Sequence, residues 1–196
     1  SGNVTLNDVA TAGITLGTLE ADANVILTAA GNTAITNDAA LALQGTVTGT
    51  LDATATTGDI TDSDALAVSG ASVFTLGADG TNITLDSAAN AFSGAVTLKA
   101  GSSGGQTFGN IVFVDSGAID FDSAASADGD LFLDGGTDNT VGGTLAVTAT
   151  TGGITDSATI AVTGDLTLND VATAGITLDT LEADANVILT AAGNTA

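Results

Sequence analysis

The sequence predicts an all-β fold, a parallel β-helix (β-solenoid) with coils of about 20 residues nested in a long repeat of 162 residues. Three observations predict it. First, residues 4–34 return as residues 166–196 with two differences in 31 positions. Second, short aliphatic pairs alternate with polar residues at roughly ten-residue steps, as in half-buried strands. Third, Pro is absent and Gly counts 26, which suits hydrogen-bonded strands joined by tight turns. The two differences are Val4/Leu166 and Gly17/Asp179.

The aliphatic pairs predict which side chains face the core. Because alternate side chains of a strand lie on opposite faces, both members of a pair share one face. Between the pairs stand Asn, Asp and Gly, which are typical turn residues. The predicted inward set is Val4, Leu6, Val25, Leu27, Leu85, Leu98, Leu131, Leu133, Leu166 and Leu168.

A shorter duplication lies inside the long repeat. Residues 50–70 have a partner in residues 144–164, offset by 94. Each copy predicts a strand, a Thr-Thr-Gly turn, an inward Ile, a second turn and another strand. A repeat near one hundred residues also fits a string of small antiparallel sandwiches, so that alternative stays open. The Gly- and Ser-rich residues 101–109 predict a loop that leaves the regular coil.

We expect one continuous solenoid over residues 1–196, in which residues 4–165 are a full long repeat and residues 166–196 begin the next. A lone coil buries about five aliphatic side chains, worth on the order of 10 kcal/mol, against ~20 kcal/mol or more of backbone entropy. Coils therefore fold only as a stack. Eight coils at ~4.8 Å each predict a rod of about 39 Å per long repeat. Since Met is absent, we expect the chain to be a segment of a longer product.

Composition argues against several functions. The chain has 23 acidic residues, 21 of them Asp, and one base, Lys99, for a formal net charge of −22. Nucleic acids and anionic membranes are bound through Lys and Arg, so we expect no nucleic-acid partner. No apolar run is long enough to span a bilayer, so we expect no membrane insertion. The absence of Cys and His removes thiolate sites and the usual general base.

The Asp residues concentrate between residues 111 and 138, which suggests a calcium site, since hard cations bind carboxylate and carbonyl oxygens of closely spaced turns. The alternative is a solvated rim of turn-capping carboxylates. No cofactor is required, and Ca²⁺ is the candidate. The candidate metal ligands are Asp120, Asp122, Asp128, Asp130, Asp134 and Asp138.

Two further functions have some support in the residues. Carboxylate pairs at Asp120/Asp122 or Asp62/Asp64 could act in a carbohydrate-active β-helix enzyme. With no His, Arg, Tyr or Trp to assist them, we expect no enzyme. Thr-x-Thr pairs, such as Thr46/Thr48, could order water on an ice-binding face, but they are too sporadic to form a regular rank.

Several stretches resemble known surface proteins. These are NVILTAAGNTAIT (residues 24–36), the paired ATTGDITDSDALAVSG and ATTGGITDSATIAVTG segments, and ITLDSAANAFSGAVTL (residues 83–98). They resemble filamentous-haemagglutinin-type adhesins and the giant β-strand-repeat surface proteins of Gram-negative bacteria, and the resemblance covers nearly the whole chain. It implies a right-handed parallel β-helix that is extracellular, displayed at the bacterial cell surface, and structural or adhesive. The implied partners are the chain itself, continuing end to end, and surface glycans of host or neighbouring cells.

Overall fold

The computed structural model describes residues 2–101, 107–122, 124, 127, 129–134 and 140–196. These residues form 22 strands and no helix, so the described part of the chain offers no helix that could cross a membrane. In chain order the strands are β1 (Val4–Asp8), β2 (Ile14–Leu19), β3 (Val25–Ala29), β4 (Thr33–Asn37), β5 (Leu41–Val47), β6 (Leu51–Ala55), β7 (Ile60–Val68), β8 (Ser72–Leu76), β9 (Ile83–Leu85), β10 (Ala91–Phe92), β11 (Val96–Ala100), β12 (Ile111–Asp115), β13 (Ile119–Phe121), β14 (Asp130–Asp134), β15 (Thr140–Val141), β16 (Leu145–Ala149), β17 (Ile154–Asp156), β18 (Ile160–Val162), β19 (Leu166–Asp170), β20 (Ile176–Thr177), β21 (Leu181–Ala183) and β22 (Val187–Ala191).

The strands form three parallel sheets. The first sheet has the order β1-β3-β5-β7-β9-β12-β16-β19-β22, with β10 beside β7. The second has the order β2-β4-β6-β8-β11-β14-β13-β17-β20, and the third β15-β18-β21. The chain passes from one sheet to the next and returns to the first sheet after about 21 residues. Val25 of β3, for example, lies beside Val4 of β1. This confirms the β-solenoid, and the parallel pairing of the described strands contradicts the alternative of antiparallel sandwiches.

Each of the two long sheets contains eight strands per 162-residue repeat, but the strands are arranged differently. The equivalent strands β1 and β19 are seven steps apart in the first sheet, whereas β2 and β20 are eight steps apart in the second. The eighth step arises within one coil, because β13 and β14 both lie between β12 and β16 along the chain, and β14 stands between β11 and β13 in the sheet. The chain therefore makes seven coils per 162-residue repeat, one fewer than the eight expected.

Aliphatic side chains and five Phe residues fill the interior. Of the predicted inward set, Val4 and Leu6 are half-buried and the other eight are buried. These two lie in β1, the edge strand of the first sheet, which has a neighbour on one side only among the described residues. Within the core the Phe92 ring lies edge-on to Phe74 at 5.9 Å and stacks on Phe113 at 5.3 Å. Such ring pairs add to the burial energy of the coils that they connect.

Asp and Asn side chains form a ladder at the corner that precedes the first sheet. Each residue stands directly before a strand, and its side-chain oxygen accepts the backbone N–H of the equivalent residue one coil later. These bonds satisfy N–H groups at the corner. The acceptor–donor pairs are Asp59–Asn82 at 2.8 Å, Asn82–Asn110 at 2.7 Å, Asn110–Thr144 at 3.0 Å and Asp165–Asn186 at 3.1 Å.

Gly45 marks an irregular point in β5, where the register with β7 shifts between Leu43 and Gly45. Its φ is +114°, and a Cβ added there would lie 2.1 Å from the carbonyl oxygen of Leu27. Both features exclude a side chain, because L-residues rarely adopt that φ and the neighbouring coil leaves no room.

Candidate functional site

The two copies of the duplicated stretch share their main strand pairs and differ in one element: β2 of the first copy corresponds to β20 and β21 of the second, which lie in different sheets. In the first copy Val4 pairs with Val25, and in the second Leu166 pairs with Val187. In the second sheet Ile14 lies beside Thr33, and the equivalent Ile176 bridges Thr195. These equivalent residues therefore take the same register at both places.

An Asp at the end of the first strand closes the same turn in each copy. One carboxylate oxygen accepts the N–H two residues on, and the other accepts the N–H of a Gly five residues on. The Gly has a positive φ, 90° at Gly13 and 98° at Gly175. The bonds are Ala10 to Asp8 at 3.0 Å, Gly13 to Asp8 at 2.8 Å, Ala172 to Asp170 at 2.9 Å and Gly175 to Asp170 at 2.5 Å.

The copies differ in how their last strand is covered. Strand β3 lies between β1 and β5, and its Val25 and Leu27 are 0% and 1% exposed. The equivalent strand β22 has only β19 beside it among the described residues, and Val187 and Leu189 are 42% and 40% exposed. We call β22 the open edge. It presents apolar side chains and a row of backbone groups that can pair with another strand.

The structure brings two of the predicted metal ligands together. Asp120 of β13 and Asp130 of β14 are register partners on adjacent parallel strands, so their side chains lie on the same face. The hydroxyls of Thr155 and Ser157 donate to the Asp120 carboxylate at 2.9 and 2.5 Å. Asp130 is buried, and its Oδ2 accepts the N–H of Ala127 at 2.5 Å.

The other predicted ligands are placed differently. Asp122 follows β13, and its backbone N–H donates to the carbonyl of Leu131 at 3.4 Å. Asp134 forms an ion pair with Lys99 at 3.7 Å, and because both side chains are exposed this pair contributes little to stability. Asp128 and Asp138 lie outside the described residues. Within the described ranges, no group of three acidic side chains is arranged to hold a metal ion.

A shallow groove of about 300 Å³ lies beside Asp120. Its walls carry small side chains, together with the carboxylate of Asp120 and the hydroxyls of Thr155 and Thr177. These polar groups are suited to a hydrated cation or to sugar hydroxyls. The lining residues are Ala118, Ile119, Asp120, Gly129, Gly153, Thr155, Ala174, Gly175 and Thr177.

The Asp62 carboxylate, one of the candidate catalytic groups of the sequence analysis, caps a turn. It accepts the N–H groups of Asp86 and Ser87 at 3.0 and 2.9 Å and the Asn90 amide at 2.6 Å. The buried Asn90 in turn accepts the N–H of Leu66 at 2.9 Å. Sequence reasoning missed Asn90, because a single Asn in an Ala-rich stretch carries no recognisable signal.

A family model described as repeats of unknown function (DUF5649) matches residues 30–99 and 108–181, more than half of the chain. The chain belongs to this family. No curated protein and no solved structure matched it. The first DUF5649 match reaches from the turn after β3 into β11, and the second runs from before β12 to the first residue of β21. Both matches therefore cover consecutive coils of the solenoid, and this confirms a repeat protein.

One carboxylate of the DUF5649 chain has a shifted pKa. The backbone N–H and the hydroxyl of Thr107 donate to Asp79 Oδ1 at 2.8 and 3.1 Å, and these bonds lower the pKa of Asp79. Because the folded pKa is depressed, the contribution to stability is present above the ordinary pKa and is lost as the pH falls through the folded value.

We expect an NMR titration to place the Asp79 midpoint below the ordinary value of an Asp side chain. Thr107→Ala removes the hydroxyl but keeps the backbone N–H, which has the larger effect. This variant should therefore raise the midpoint only in part. An unshifted midpoint in the unsubstituted chain would show that the contact does not form in solution.

Proposed function

We propose that this chain is a segment of a long extracellular fibre at a bacterial cell surface, a structural and adhesive rod without catalysis. One observation carries the proposal. The open edge β22 has the same sequence, VILTA, as β3, and that strand is covered inside the same molecule by β5. In an array of 162-residue repeats, the coil stacked on β22 would be equivalent to the coil that covers β3. The rod would then continue with the contacts already present within the chain.

The physical chemistry of the surface suits a displayed rod. Stacked coils share ladder hydrogen bonds and inward side chains, so the array gains stability from each neighbour. A net charge of −22 favours solubility and keeps neighbouring rods apart. Seven coils along the first sheet correspond to an axial recurrence of about 34 Å per repeat, at ~4.8 Å per coil.

Electron microscopy and fibre diffraction of the intact protein test this proposal. We expect an elongated particle with a layer line near ~4.8 Å along its long axis. Immunogold labelling of intact cells should place it outside the envelope. A discrete globular particle, or labelling confined to the cell interior, would contradict the proposal.

A second candidate is a ligand-binding adhesin module that takes Ca²⁺ or a surface glycan at the groove beside Asp120. The register of Asp120 with Asp130 favours it, because two carboxylates on adjacent strands repel each other and a divalent cation would relieve that repulsion. The Thr155 and Thr177 hydroxyls in the same groove could hydrogen-bond to sugar hydroxyls.

For the calcium candidate, we expect millimolar calcium to raise the melting temperature above that measured with chelator. At ten times the dissociation constant, the gain is ~1.4 kcal/mol, or about 3–6 °C for a chain of this size. Asp120→Asn should abolish the difference. The matched control Asp52→Asn, an exposed residue of β6, should retain it. Overlaying melts with calcium and with chelator would mean that these carboxylates only cap turns and bind solvent.

A further inference from the structure

Within this chain β5 and the corner beside it cover β3, the strand of the first copy that corresponds to the open edge. Strand β5 pairs with β3 from Val25/Leu43 to Ala29/Val47. At the adjoining corner the Thr33 N–H donates to the Thr50 carbonyl at 2.8 Å, and the Thr50 N–H donates to Asn32 Oδ1 at 3.1 Å. All the residues that the first copy contributes to these contacts have identical equivalents in residues 187–195.

We propose that the two copies are interchangeable between molecules: residues 166–196 of one chain can replace residues 4–34 of another on β5 and β6. In this chain residues 4–34 therefore act as a cover that blocks its own docking site. This inference names the partner of the proposed fibre, a second copy of the chain. It concerns non-covalent exchange, so a fibre built of covalent repeats could exist without it.

Neither sequence difference between the copies opposes the exchange. Gly17 is exposed, and a Cβ built on it meets nothing within 4 Å, so the Asp179 of the second copy fits at that position. The other difference adds one methylene at an inward position, and Leu166 is fully buried where it stands. The register of β1 with β3 in the first copy is the same as that of β19 with β22 in the second.

The intramolecular cover should dominate in the unsubstituted chain. Residues 4–34 are joined to the docking site through Ile35, so their effective concentration is in the millimolar range. An isolated chain at micromolar concentration therefore keeps its own cover. If the cover is disabled, each chain has both a docking site and an open edge, and such a head-to-tail contact generates open filaments.

The test uses identical substitutions in the two copies of the full 196-residue chain. Leu27→Asp places an unpaired charge in the cover, and Leu189→Asp places it at the equivalent position of the open edge. We expect Leu27→Asp to raise the weight-average mass in sedimentation several-fold with increasing concentration. Leu189→Asp alone and the double variant should remain monomeric. Association of the double variant equal to that of Leu27→Asp, or a folded Leu27→Asp chain that stays monomeric, would overturn the proposal.

Disulfide trapping checks the register and does not depend on the folding of Leu27→Asp. The chain contains no Cys, and Thr46 is the register partner of Thr28, whose equivalent in the second copy is Thr190. After unfolding and refolding at high concentration, Thr46→Cys/Thr190→Cys should give disulfide-linked oligomers. Thr46→Cys/Thr28→Cys should close within one chain, and the off-register pair Gln44→Cys/Thr190→Cys should cross-link at least ten-fold less. Equal cross-linking of the registered and off-register pairs would also overturn the proposal.

Discussion

Leu133→Asp should abolish the cooperative melt of the coils around β14. Leu133 is fully buried and lies in register with Leu98 of β11. The substitution loses core burial worth ~2–5 kcal/mol and adds an unpaired buried carboxylate that costs several kcal/mol. Because the free energy of unfolding of a whole domain is only ~5–15 kcal/mol, the middle coils should open. Circular dichroism melts and hydrogen exchange of residues 96–156 would measure the effect.

The control for this prediction is the neighbouring residue of the same strand. Phe132 faces outward and is half-buried, so Phe132→Asp leaves its charge in contact with water. We expect a much smaller change in melting temperature from this variant. An unchanged cooperative melt for Leu133→Asp would contradict the inward assignment of β14.

Gly45→Ala should destabilise the chain by about 3 kcal/mol or more, a large effect for one methyl group. The positive φ of Gly45 costs ~1–2 kcal/mol for an L-residue. The contact of the new Cβ with the Leu27 carbonyl adds an overpacking cost of ~1–3 kcal/mol. This contact involves backbone of the neighbouring coil, so a side-chain rotation cannot relieve it. Urea unfolding monitored by circular dichroism would give the difference.

Two other glycines separate the two contributions. Gly80 has a φ of +69° with nothing within 4 Å of an added Cβ, so Gly80→Ala should show the backbone cost alone. Gly17 has open space and no positive φ, so Gly17→Ala should be nearly neutral. The expected order of destabilisation is Gly45, Gly80, Gly17. Equal effects at Gly45 and Gly17 would show that the coils are not as closely spaced as the structure has them.

The inward faces of the strands could be predicted because they depend on a local pattern with a period of two residues. Pairs such as Leu166/Leu168 and Leu131/Leu133 are buried as expected. The shared register of β1 with β3 and of β19 with β22 was also predictable, since identical residues meet identical neighbours one coil away. These features need no knowledge of contacts distant in the sequence.

The arrangement of the middle coils could not be predicted in the same way. The coils differ in length: the register partners Val4 and Val25 are 21 residues apart, whereas Ile111 and Leu145 are 34 residues apart. An average coil length read from the sequence does not show this difference. The position of β14 depends on tertiary pairing with β11, and no local signal records that pairing. For the same reason, the sequence did not show that Lys99 forms an ion pair with Asp134 or that the Asn90 amide donates a hydrogen bond to Asp62.

The unequal coil lengths have a consequence for a long array. The coil from Ile111 to its partner Leu145 spans 34 residues and the coil from Val4 to Val25 spans 21, yet each adds one strand spacing of ~4.8 Å to the first sheet. The longer coil therefore adds width to the rod and no length. In an array it would recur once per repeat, at intervals of about 34 Å for seven coils of ~4.8 Å. A fibre of many repeats should therefore show regularly spaced lateral projections in averaged electron micrographs.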